Sequence, residues 1–140
     1  MKKNNKILIF IYVLLQCTWG LPQTLVGFIL FIVHIKCPHR FYHGSIETEW
    51  QQKWSGISLG LFIFTPIEQH SEVRVHEYGH TIQSLILGPL YIIPGVISLA
   101  WGNLLYYANK RREQNLPYTK CFVEGGASRL GKKVLGEKAI

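Results

Sequence analysis

His76-Glu77-Tyr78-Gly79-His80 sets two imidazoles four residues apart, with a carboxylate next to the first. On an α-helix residues i and i+4 share a face, so both rings can aim a nitrogen at one divalent cation. Zinc accepts neutral imidazole and, in catalytic sites, keeps one position open for water. Glu77 would then take a proton from that water and later hand it to a leaving amine. The chemistry implied is metal-assisted hydrolysis of a peptide bond, with His76 and His80 as ligands and Glu77 as general base.

Two ligands leave a third to be found. A further histidine at the metzincin spacing would fall on Ile86. All eight acidic residues are Glu, so an aspartate ligand is excluded. Beyond His80 the acidic residues are Glu113, Glu124 and Glu137. Glu113 belongs to the cationic run Lys110-Arg111-Arg112, where a solvated ion pair accounts for it, and Glu137 lies close to the end of the chain. Glu124 opens the most apolar stretch of the tail and is the favoured third ligand. Tyr118, His70 and Arg129 are candidates for stabilising an oxyanion.

These side chains need elements to hold them. Ser71 and Glu72 suit a helix start, and Val73, Val75, Ile82, Leu85 and Ile86 give a helix over 71–87 its packing surface. Gly79 costs that helix about 1 kcal/mol of propensity but lets another element approach closely. For Glu124 to reach the two histidines, the chain must return after the apolar block Ile82–Ala108. Breakers at Gly88-Pro89 and Pro94-Gly95 allow this through a helical hairpin with arms near 71–87 and 96–109.

The chain has 140 residues, 48% hydrophobic and 16% charged, with a formal net charge of +7. That suits one domain, 1–140, and rules out a disordered polar chain. The apolar residues gather into two long blocks with basic residues at their ends: Lys2, Lys3 and Lys6, then Lys36 and Arg40, then Lys110, Arg111 and Arg112. Flanks of this kind point to a lipid bilayer and argue against nucleic acid.

Residues 7–35 form the first membrane segment. Met1–Leu15 mimics a secretion signal, but Gln16 before Cys17 is a poor lipoprotein cleavage site and the apolar run continues, so a retained segment is expected. Gly20 and Pro22 interrupt it. One helix would be roughly 43 Å long against a hydrocarbon core of about 30 Å, whereas two arms would be roughly 20 Å each. Length favours one tilted helix, and the basic ends and charge-free Thr18–Leu21 favour a hairpin; the two readings stand side by side. In the polar interval, period-2 alternation at Ile46, Thr48 and Trp50 and again from Ile57 to Ile63 predicts a two-stranded β element within 44–64, joined near Gln51-Gln52-Lys53. Residues 110–140 read as a basic tail carrying the third-ligand segment. Cys17, Cys37 and Cys121 are too few and too scattered for a disulfide framework.

The run from Arg74 to Tyr91 resembles a group of small bacterial integral-membrane proteins that are predicted zinc metallopeptidases. Thr18–Gly27, Thr48-Glu49-Trp50 and Ser58–Phe64 are similar to the same group, so the likeness spans most of the chain. More distantly the pattern is similar to gluzincin membrane proteases of the heat-shock and prenyl-protein type, which carry H-E-x-x-H, a membrane hairpin and then E-x-x-A-D on a later helix. The resemblance implies that His76, His80 and Glu124 bind zinc, that Glu77 is the base, and that the strand near Ile57–Phe64 holds an extended peptide. The polar residue four places after the third ligand, which orients a ligand histidine in that family, falls on Ser128. Gly125-Gly126 should weaken the helix carrying Glu124.

Together these readings predict a mainly α membrane protein (α+β): Pro/Gly-broken membrane helices, a zincin-like helix and a small β element. The function expected is zinc-dependent endoproteolysis in the bacterial cytoplasmic membrane, acting on a peptide or membrane protein, with lysine placement putting the site at the cytoplasmic face. The alternative is a non-catalytic membrane protein, an immunity or accessory factor or a degenerate peptidase, that retains the motif helix.

Overall fold

A computed structural model describes residues 5–51, 56–67 and 71–140. It is mostly helical with a small mixed sheet. Helices α1 (Lys6–Thr18) and α2 (Leu21–Val33) come from the first apolar block. The Asn5 side chain caps α1 by accepting the Leu8 N–H, and Pro22 occupies the first turn of α2, where its missing N–H costs nothing. The two helices meet at 92°, so residues 7–35 form a bent pair rather than one tilted rod.

The β element is larger than the two strands expected. Strands β1 (His39–Tyr42), β2 (Ser45–Trp50), β3 (Ile57–Leu59) and β4 (Phe62–Pro66) form a four-stranded sheet in the order β1-β2-β4-β3. The alternating run 57–63 divides because Gly60, at φ +61°, turns the chain back between β3 and β4. β1 carries no sequence signal, because His39-Arg40-Phe41-Tyr42 has no alternation and lies mostly exposed at the sheet edge. β2 and β4 pair in parallel, with Ile46 opposite Phe62 and Thr48 opposite Phe64. The expected joint at Gln52 and Lys53 lies outside the described residues.

Alternation also misreads β2, whose charged Glu47 is buried rather than solvated. Its carboxylate accepts from Thr65 Oγ1 at 2.8 Å, Arg40 Nε at 2.7 Å and Arg74 Nε at 2.9 Å. Because Arg74 belongs to helix α3 (Ser71–Leu87), this network ties the sheet to the motif helix. The expected bounds of that helix hold. A core of Tyr12, Ile63 and Tyr78 joins α1, the sheet and α3, with the two tyrosine rings stacked at 5.7 Å.

After α3 a 3-10 turn, Gly88–Tyr91, leads into α4 (Ile92–Asn103). By length and composition the run Ser71–Asn103 is long and apolar enough to cross a membrane. It nevertheless folds back on itself. A continuous helix would set residues 76 and 102 about 39 Å apart, yet Gly102 abuts Tyr118, whose ring is 6.4 Å from that of His76. The second hairpin arm is 92–103 rather than 96–109. Pro94 sits in the first turn of α4, so Pro94-Gly95 does not break the helix; the chain breaks instead at Leu104, where the backbone is extended.

The basic segment 110–140 folds back onto the motif helix. α5 (Leu105–Glu113) and a 3-10 turn at Tyr118–Lys120 lead to α6 (Phe122–Leu135), which packs antiparallel along α3. A side chain on Gly79 would overlap the Ala127 carbonyl, so the glycine within the motif sets the closeness of these two helices. That packing, added to favourable backbone bonding, carries α6 through Gly125-Gly126 without interruption.

Candidate metal centre

α3 and α6 bring together the three expected ligands. Glu124 Oε2 lies 3.1 Å from His76 Nε2 and 3.3 Å from His80 Nε2. All three residues are buried, and one ligand atom from each falls within 4.8 Å of the others, a group that could hold a metal ion. Glu113 and Glu137 are exposed and stand outside the group.

The far side of each imidazole is also held. His76 Nδ1 meets Ser128 Oγ at 2.8 Å, and His80 Nδ1 meets Gln83 Oε1 at 2.9 Å. The second contact reveals a proton. Gln83 Nε2 donates to the Val123 carbonyl at 2.8 Å, and a carbonyl can only accept, so the Gln83 oxygen is the atom facing His80. His80 Nδ1 must then carry the hydrogen, so that in the neutral ring it is Nε2, the nitrogen facing Glu124, that keeps the lone pair a metal ligand needs. In that form two acceptors face each other at 3.3 Å, an arrangement that a bound cation, whether a proton or a metal ion, would satisfy. The other Glu124 oxygen, Oε1, is buried with no hydrogen-bond partner among the described residues, a second sign that a ligand belongs here.

Burial alone would push the Glu124 carboxyl up, but hydrogen bonding to His76 and then His80, with the His80 charge, outweighs it and holds the group below the usual carboxylate range. It is therefore an anion at neutral pH, as a ligand must be.

Glu77 faces the same cavity, of about 610 Å³. The single O–H proton of Ser58 in β3 is shared between Glu77 Oε2 at 2.7 Å and the Glu77 carbonyl at 2.8 Å. Ser98 and Gly102 of α4 form the facing wall with Tyr118. Burial, followed by the nearby charges of Glu124 and Glu77, pushes the Tyr118 phenol up, so it remains a hydrogen-bond donor. At the rim Arg111 lies between the rings of Trp101 and Tyr118, at 5.0 and 5.5 Å, and bonds the Trp101 carbonyl.

The other expected neighbours divide. Ser128 and Tyr118 are at the site. Arg129 is not: one residue past Ser128, a rotation of about 100° turns it out to the exposed face of α6. His70 lies outside the described residues. Ser58, Gln83 and Arg111 were not anticipated. Gln83 could have been, since residues three apart share a helix face; Ser58 could not, because its role depends on which strand borders α3. No protein-family model, no curated protein and no solved structure matches this chain.

Proposed function

We propose that this chain is a zinc metalloendopeptidase of the bacterial cytoplasmic membrane, cleaving peptides or membrane proteins. The observation that carries the reading is the convergence of two imidazoles and a buried carboxylate, with Glu77 on the wall of the same cavity. His76, His80 and Glu124 would hold the ion, a nitrogen-and-oxygen donor set that suits zinc. A bound zinc would acidify a water molecule and polarise the scissile carbonyl. Glu77 accepts the proton and passes it to the departing amine, with Ser58 orienting its carboxylate. Tyr118 offers a neutral donor to the carbonyl oxygen as negative charge builds there. The apolar exposed surface and the likeness to small membrane metallopeptidases support the membrane setting.

Purified protein should contain one equivalent of zinc, and Glu124→Ala should lose it. Glu77→Gln should keep the zinc and abolish peptide cleavage. A Glu77→Gln protein that retains its biological effect would favour the non-catalytic alternative. Full zinc occupancy in Glu124→Ala would remove the metal assignment.

A further inference from the structure

We propose that both helix pairs, α1–α2 and α3–α4, enter and leave one leaflet of an anionic bilayer through the same face, and that neither crosses it. This rests on the membrane reading above and adds sidedness and depth. α1 and α2 have 13 residues each and meet at 92°. Each arm is about 20 Å long, and a V of that angle reaches roughly 14 Å below its open end, against about 15 Å for half the hydrocarbon core.

The second hairpin turns at the same level. The Trp19 indole packs against Gly88, where a side chain would overlap it. Gln23 Nε2 donates to the Gly88 carbonyl at 2.6 Å and to Ser84 Oγ at 3.2 Å, and Gln16 Nε2 donates to the Thr81 carbonyl at 3.0 Å. These polar groups are turned inward between the two pairs, as an acyl environment demands. Outward, the tips present Trp19, Leu90 and Ile93, at 53%, 64% and 58% exposure.

Charge fixes the direction. No Lys, Arg or Glu occurs in 7–35 or 81–109. Lys6 and Lys36 stand at the open ends of the V, and Lys110 and Arg112 follow the returning arm, where they can meet anionic headgroups. A crossing hairpin needs an interfacial anchor on the far side; the tips supply no cation there.

The native cysteines give the test. Cys17 is exposed near the tip, whereas Cys37 and Cys121 follow α2 and precede α6 at the bases. Full-length protein, with each cysteine retained singly, is reconstituted into sealed phosphatidylcholine–phosphatidylglycerol vesicles and exposed to a membrane-impermeant maleimide. Leu90→Cys, in a background lacking the native cysteines, reports the second tip independently. With reagent on both sides, Cys17 and Leu90→Cys should label on the order of tenfold less than Cys37 and recover in detergent, since lipid shields them. With external reagent alone, Cys37 and Cys121 should label to the same fraction. Tip labelling in vesicles that still float with the protein, or complementary fractions at Cys37 and Cys121, would overturn the one-leaflet arrangement while leaving the membrane reading intact. Failure to float with vesicles would overturn both.

Discussion

The Ser58 hydroxyl lies within hydrogen-bond distance of both the carboxylate and the backbone carbonyl of Glu77, its one proton shared between them, and so joins strand β3 to the motif helix. Ser58→Ala should therefore leave a buried carboxylate short of a donor and lower unfolding stability by about 1–3 kcal/mol. Zinc stoichiometry should not change, because Ser58 touches no ligand. Thermal melts together with metal analysis check this, and an unaltered melt would mean that the bond contributes nothing.

Ser128 and Gln83 reach the candidate metal centre only through the histidines. Partners of this kind fix the tautomer and ring orientation, and their loss weakens metal binding about 10–100-fold. Ser128→Ala and Gln83→Ala should each show that reduction in a competition titration with a zinc chelator. Ser128→Asp should bind more tightly than the parent, since a carboxylate accepts the His76 proton better than a hydroxyl does. Equal affinity in all of these proteins would show that the outer contacts do not orient the rings.

Glu124 also makes the metal-free protein sensitive to acid. Its carboxyl is held below the ordinary value in the folded state. A depressed carboxyl pKa contributes stability that is present above the unfolded value of about 4.3 and is lost as pH falls through the folded value. In the presence of chelator, the melting temperature should fall as the pH drops below that range, and Glu124→Gln should flatten this part of the profile. A parent profile parallel to that of Glu124→Gln would refute the linkage.

The elements that local pattern governs were legible from the chain itself. The motif helix appears with the bounds that Ser71 and the Gly88-Pro89 breaker indicate. Glu124 could be reached because so few carboxylates follow His80, whereas Ser128 was reached only through the resemblance to gluzincin membrane proteases. What stayed hidden depends on contacts distant in sequence. Glu47 looks like the solvated residue of an alternating strand until Arg40, Arg74 and Thr65 converge on it. Pro94 looks like a breaker until the helix is seen to begin just before it. Arg129 looks like part of the site until the turn of α6 carries it outward.

Gly79 and Ala127 set the distance between the helices that carry the proposed metal ligands. A methyl group at position 79 has no room beside the Ala127 carbonyl, so Gly79→Ala should push α6 away from α3. Overpacking of this kind costs about 1–3 kcal/mol, against a gain of about 1 kcal/mol from helix propensity. The more telling effect is on zinc, because displacing α6 moves Glu124 relative to both histidines. Gly136→Ala is an unsuitable control, as that residue lies at φ +74° and would be strained on its own account. Gly126→Ala is better: its nearest neighbour is the flexible end of Gln83. Gly79→Ala should lose both stability and zinc affinity, whereas Gly126→Ala should keep its fold and lose affinity only to the extent that Gln83 is displaced. A Gly79→Ala protein with parental zinc affinity would show that close helix contact does not govern the geometry of the centre.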